Sequence, residues 1–243
     1  MMSRDPSSFF FILDKDKNIA DMQNALIEFS QAAADLHHMV MSEWAERRTK
    51  EEFTRPSTHK IENIAAYIQE KIKKAQQSAK TELSLSFFFE EDNAIDIGFT
   101  IETSYRAMLL YTSNNFFNED YFLQSSKRVD AFIGFCKLCY RFCSPLYGYG
   151  ITEITDWNHP ESANQIDQLK LTTLYCYNFL GPALAKSYGL NVLKSIPAWQ
   201  VEELEDGGVF LGMEQIPFYP DRSAHNYEQA IALLKASAYV RFA

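Results

Sequence analysis

The feature that most constrains this chain is a change of hydrophobic period at Leu83. From there Leu83, Leu85, Phe87 and Phe89 alternate with Ser84, Ser86, Phe88 and Glu90. A period of two sends successive side chains to opposite faces, so residues 83–90 read as a β-strand. Glu91, Asp92 and Asn93 interrupt the pattern, and it resumes with Ile95, Ile97, Phe99 and Ile101 against Asp96, Gly98, Thr100 and Glu102. Two alternating runs joined by a short polar turn form an antiparallel hairpin with one wet face. Residues 105–111 add a third strand, and Asn114, Asn115 and Asn118 mark the loop after it.

Helical periodicity dominates on either side. Phe9 to Leu13 reads as a short first strand; Asp16 or Asn18 then caps a helix carrying Ile19, Met22, Leu26, Phe29 and Ala33 that runs to Trp44. A polar passage over 46–60 precedes a second amphipathic helix with Ile61, Ile64, Ala65, Ile68, Ile72 and Ala75 on one stripe and Lys60, Lys71, Lys73 and Lys74 on its solvated side. Ser125 or Ser126 caps a third helix, with Val129, Phe132, Ile133, Cys136, Tyr140 and Cys143 at buried-face intervals and Ser144–Pro145 as its stop. The aromatic and glycine-rich segment 146–160 reads as a strand followed by an irregular loop, and residues 171–179 as another strand. Pro182 suits the first position of a short helix, Gly189 its C-terminal cap, and one further turn reaches Leu193. Residues 198–213 form a second hairpin about Asp206–Gly207. Ser223 caps a last helix that buries Tyr227, Ala230, Ile231, Leu234 and Ala238. The expected fold is α+β, a mostly antiparallel sheet flanked by helices, in a single domain over 1–243; an N-terminal helical subdomain through residue 80 is the alternative division.

Composition narrows the function. The 243 residues are 47% hydrophobic and 23% charged, which excludes a disordered tail, a fibre or a coiled-coil rod. Lys plus Arg number 23 against 32 Asp plus Glu, a net charge of −9 that repels nucleic acid and anionic lipid and attracts basic partners. Phe9 to Leu13 lacks the features of a secretory leader, no stretch approaches the ~20 apolar residues that span a bilayer, and the four cysteines are not a small secreted framework. A cytoplasmic location is the expectation.

Sequence spacing supplies no catalytic signature. Cys136, Cys139 and Cys143 on one helix, with Cys176 as a distant fourth, have the count for a zinc site, but Cys136 and Cys143 lie on the apolar stripe, where cysteine behaves as a small hydrophobe. No metal or cofactor is therefore expected. Neither phosphate-cradling glycine motif is present, and His37, His38, His59, His159 and His225 lack the neighbours of a known triad. Glu153, Asp156 and His159 are the best local acid–base set, in the 147–159 loop.

Charge is segregated along the chain. Between Thr81 and Tyr105 there are six acids and no Lys or Arg; residues 142–169 hold four acids and residues 195–221 six, again with no basic residue. If these segments share one side of the sheet, they make a negative surface able to steer and hold a basic protein.

From Leu174 to Leu211 the run LYCYNFLGPALAKSYGLNVLKSIPAWQVEELEDGGVFL is similar to a segment of bacterial polymorphic-toxin immunity proteins and their relatives. The matching features are the aromatic strand before Asn178, Gly181–Pro182, the helix closing at Gly189, then Pro197–Ala198–Trp199 leading through Glu202, Glu203 and Leu204 to Asp206–Gly207–Gly208. The resemblance implies a stoichiometric inhibitor, without catalytic residues, that occludes a cognate toxin. An acidic inhibitor suits a basic toxin, and the expected contacts are Glu90, Glu91, Asp92, Glu153, Asp156, Glu203, Glu205 and Asp206, with Tyr149 and Trp157 as aromatic anchors. An enzyme using Glu153 or Asp156 as base, and a small-ligand module with an apolar pocket, are the rival readings.

Overall fold

The alternation that begins at Leu83 does form a meander. The computed structural model describes residues 8–17, 22–37, 39–42, 63–78, 82–89, 96–102, 106–112, 122–151, 163–215 and 224–239. Within it the contacts divide the chain into two compact units, Lys15–Cys143 with Met1–Arg4, and Ser144–Ala243 with Asp5–Asp14. Each is α+β, with an antiparallel sheet and helices.

In the first unit, β2 (Met39–Ser42), β3 (Glu82–Phe89), β4 (Asp96–Glu102) and β5 (Ala107–Thr112) lie in that order. The β3–β4 register pairs Leu83 with Ile101, Leu85 with Phe99 and Phe87 with Ile97, so the two alternating runs match apolar position to apolar position. The expected third strand is β5, entered through Arg106 at φ 55°. The first helix is shorter than its periodicity implied: α1 is Gln23–His37, and β2 follows it. It begins beyond both Asp16 and Asn18, so neither caps it. Met39, Val40 and Met41 suit a strand, and pairing with Phe89, Phe88 and Phe87 of β3 provides a backbone partner that a last helical turn could not match.

α2 (Ile64–Gln77) starts at Asn63, whose Oδ1 accepts the Ala66 N–H at 3.0 Å. Its stripe buries Ile68, Ile72 and Ala75, and Glu70 and Lys74 pair across one turn on the wet side. α3 (Phe122–Cys143) begins before Ser125 and Ser126, which lie inside it and are not its caps. Every residue of the expected stripe from Val129 to Cys143 is buried, and the ring of Phe29 on α1 meets that of Phe135 edge to face at 5.1 Å. Lys17 Nζ donates to the Cys143 carbonyl at 2.7 Å, placing a cation on the negative end of α3.

The second unit has strand order β1 (Ser8–Ile12), β6 (Tyr147–Ile151), β7 (Tyr177–Leu180), β9 (Val209–Gly212), β8 (Gln200–Glu203), all antiparallel. β1, β7 and β9 are buried on both faces, which is why Phe9, Phe10, Phe11 and Ile12 read as a continuous apolar run. Phe9, Phe11, Phe179 and Phe210 cluster on one face with ring centroids 4.9–5.8 Å apart. On the other, Phe10, Tyr147, Tyr149 and Tyr175 stack in a row. α5 (Pro182–Tyr188) carries Pro182 in its first turn and ends at Gly189, φ 89°, before α6 (Leu190–Lys194). α7 (Ala224–Tyr239) buries Ala230 and Leu234, while Tyr227 and Ile231 of the expected stripe are only half-buried.

Two expectations change in this unit. A helix, α4 (Ala163–Asp167), occupies a segment for which the sequence pattern gave no element. The strand expected over 171–179 is confined to β7, because the Asn178 side chain takes the Tyr175 N–H at 2.9 Å and donates to the Tyr175 carbonyl at 2.7 Å, so the backbone of Tyr175 bonds a side chain instead of a ladder.

Candidate functional site

Three of the expected contacts, Glu203, Glu205 and Asp206, lie together on the β8–β9 hairpin. Its loop is built by local chemistry. The Gly207 N–H donates to the Leu204 carbonyl at 2.9 Å and the Leu204 N–H to the Gly208 carbonyl at 2.8 Å, with Gly207 at φ 84°. This is a three-residue hairpin loop with a glycine bulge, and the left-handed conformation requires glycine there. Asp206 Oδ1 accepts the Gly208 N–H at 2.9 Å and fixes the bend. Asp206 therefore has a structural part as well as a place on the surface.

Glu203, Glu205 and Asp206 are exposed, while β9 beside them is buried along its whole length. The acids thus stand on a ribbon whose inner strand belongs to the core. Gln200 Nε2 donates to Glu202 Oε2 at 2.8 Å, so these two side chains share one face of β8. Glu203 turns to the other face, 3.5 Å from Lys194 Nζ of α6; both side chains are about half exposed, so this pair adds little stability. Ala185, Lys186, Gly189 and Leu190 with Glu203, Gly207 and Val209 line a shallow cleft of about 260 Å³ on that face. At the start of β8, Trp199 is 39% exposed; with Leu169 it is one of two large apolar side chains so exposed among the described residues.

The remaining expected contacts do not join this surface. Tyr149 is wholly buried, its ring stacked between those of Tyr147 at 5.4 Å and Tyr175 at 4.4 Å, and so is a core residue rather than an exposed anchor. Alternation explains the error: β6 is an inner strand, and its tyrosines fill one covered face. Glu90, Glu91, Asp92, Glu153, Asp156 and Trp157 lie outside the described residues, as does His159.

The cysteine helix presents no ligand set. Cys136, Cys139 and Cys143 are buried in the α3 stripe, and burial pushes all three thiols up, Cys143 to about 12 despite the nearby Lys17 ammonium. Cys143 Sγ instead lies 3.4 Å from the Met108 sulfur. Burial also raises Cys176, and burial followed by the Cys176 and Glu214 charges raises the Tyr227 hydroxyl. Among the described residues no His, Cys, Asp and Glu cluster has the geometry to hold a metal ion, and no helix is long and apolar enough to cross a membrane.

The fold is similar to that of the Pseudomonas aeruginosa T6SS protein PA0821, with a TM-score of 0.50 and 14% sequence identity, covering 96% of this chain and 73% of that one. At that identity the likeness is one of fold. No family model and no curated protein matches the chain.

Sequence reasoning missed the buried polar residue of the second unit, Asn178, alone in that class among the described residues. Asn178 is fully buried, accepts from Tyr147 Oη at 2.8 Å as well as from the Tyr175 N–H, and donates to the carbonyls of Tyr175 and Leu211. The signal was an asparagine set among strand-forming aromatics, which is poorly placed in a ladder unless its amide is fully bonded.

Proposed function

We propose that this chain is an immunity-type protein that binds a cognate bacterial toxin and neutralises it by direct occlusion, using an acidic surface and no chemistry of its own. The observation that carries this reading is the β8–β9 hairpin. Four acids, Glu202, Glu203, Glu205 and Asp206, project from a ribbon anchored through the buried β9, and residues 195–221 contain no basic side chain. A fixed negative ridge speeds encounter with a basic partner and does not have to be ordered on binding. The 174–211 segment that resembles immunity proteins contains this hairpin, and a fold shared with a T6SS protein is in keeping with a bacterial antagonism setting. Occlusion needs roughly 800 Å² from each partner, so the hairpin forms one part of the interface and Trp199 its apolar neighbour.

The test is mixing the purified protein with the toxin encoded beside it. The expected result is a stoichiometric complex whose association rate falls roughly tenfold or more between low and high salt, because screening shortens the reach of the acidic ridge. Reversing Glu203, Glu205 and Asp206 to Lys slows association by a comparable factor. Absence of any complex at low ionic strength overturns the reading; so does a complex whose formation ignores both salt and charge reversal.

A further inference from the structure

The most unusual feature of the acidic hairpin is its backbone. β8 pairs with β9 on one side and, among the described residues, with no strand on the other. Antiparallel ladders alternate between residues whose N–H and C=O face the neighbour and residues whose groups face away. The Leu204 N–H bonds the Gly208 carbonyl, which sets the phase: Glu202 opposite Phe210 and Gln200 opposite Gly212 point at β9, while Val201 opposite Leu211 and Glu203 opposite Val209 direct their N–H and C=O outward. Two residues thus direct four backbone groups to a side where, among the described residues, no strand meets them.

Open edges invite pairing, and proteins ordinarily blunt them with short strands, charged side chains, proline or a covering element. β8 has no proline or lysine and, among the described residues, no covering strand; what guards it is its short length and its charge, two glutamates in the strand and Glu205 and Asp206 in the turn beyond it. Acids at an edge select between partners. A second copy of β8 paired about Glu202 or Glu203 would set Glu against Glu, and like charges directly opposite destabilise a strand pair. A strand bearing Lys or Arg instead gains from each acid it meets.

We propose that the outer edge of β8 takes up an extended, lysine- or arginine-bearing segment of a protein partner as an added antiparallel strand, bonded through the backbone of Val201 and Glu203. Main-chain bonds supply the register, and side chains at alternate positions supply the selectivity. On the face shared with Glu203, a basic side chain meets a half-exposed carboxylate that also lies 3.5 Å from Lys194 Nζ. At the strand's other end, the half-exposed Trp199 ring gives an apolar side chain a surface to cover. That the partner is a toxin rests on the function proposed above; the strand addition does not.

The probe is a blocked synthetic peptide of alternating lysine and valine, added at millimolar concentration to the full-length protein while amide exchange is followed by NMR. The expected result is slowing of the Val201 and Glu203 amides by roughly tenfold or more, with no such change for a glutamate–valine peptide. The same lysine–valine peptide N-methylated along one backbone edge keeps its charge but cannot pair; it should give no protection. Val201→Pro removes one outward N–H at a position where an edge strand tolerates proline, and it should abolish the effect. Equal protection by the methylated peptide, or protection confined to other amides, overturns the proposal. A dimer in sedimentation that Val201→Pro dissolves means a second copy occupies the edge, and also overturns it. If Val201→Pro protein neutralises the co-encoded toxin as well as the wild type, the toxin is not the partner that adds a strand, while the toxin reading itself stands. If the peptide pairs but no co-encoded toxin binds, the edge site stands and the toxin reading fails.

Discussion

Replacing Asn178 with alanine should destabilise the second unit by about 4 kcal/mol, far more than a deleted surface amide would. The side chain is fully buried and makes four bonds: it accepts from Tyr147 Oη at 2.8 Å and the Tyr175 N–H at 2.9 Å, and donates to the Tyr175 carbonyl at 2.7 Å and the Leu211 carbonyl at 3.2 Å. Alanine leaves two donors without an acceptor, and a stranded buried donor costs about 1–3 kcal/mol. The two carbonyls lose less, because each has a second lone pair. With stabilities of about 5–15 kcal/mol for whole domains, a loss of this size is a large share of the total. It corresponds to a fall of roughly 8–16 °C in Tm where the 243 residues unfold as one cooperative unit, and to a larger fall where the second unit melts by itself.

Calorimetry and urea titration of Asn178→Ala measure that loss, and a double-mutant cycle with Tyr147→Phe assigns it. In the wild-type background, Tyr147→Phe removes one bond and leaves the Asn178 oxygen still bonded to the Tyr175 N–H, a cost of about 1 kcal/mol. In the Asn178→Ala background the Tyr147 hydroxyl is already stranded, so deleting it should be neutral or stabilising. The expected coupling is about 1–3 kcal/mol. Strict additivity, or a loss below about 1 kcal/mol for Asn178→Ala, would refute the claim that this amide organises the chain before β7.

Gly181→Ala tests a different kind of constraint: an added Cβ would sit 2.7 Å from the Pro145 carbonyl oxygen and 2.8 Å from that of Leu146, backbone atoms that cannot swing aside. A loss of about 3 kcal/mol by urea titration is expected, at the upper end for overpacking, and a neutral result would show that the 145–146 backbone yields readily. The thiols of the first unit set an alkaline limit. Burial holds Cys143 at about 12 against an ordinary 9, so the stability it contributes is intact below pH 9 and is lost as pH rises from 9 toward 12. Stability should fall across that window, and Cys143→Ala should flatten the fall; an unchanged slope counts against the assignment. Below pH 9, Cys136, Cys139 and Cys143 should react with a thiol reagent only as fast as the first unit opens.

What the sequence revealed and what it concealed follow one physical division. Patterns that a single element enforces were legible: the β3–β4 alternation, the α3 stripe, Pro182 and Gly189 bracketing α5, and the Asp206–Gly207 turn each depend on residues close in the chain. Features set by distant partners were not. α1 stops at His37 because Met39–Ser42 finds an edge on β3, and the strand expected from residue 171 is shortened because Asn178 turns back on Tyr175. Tyr149 looked like an anchor in a glycine-rich segment, yet β6 lies between β1 and β7 and its tyrosines face a covered side. Nothing local distinguishes an inner strand from an outer one when both alternate. The same limit applies in the functional direction: Glu203, Glu205 and Asp206 could be read as acidic, but only the strand order shows that they border a strand that, among the described residues, has no partner on its outer side. Charge alone would let such a hairpin attract a basic protein in many orientations. An open edge in addition fixes direction and register, which is what an inhibitor needs if attraction is to end in occlusion.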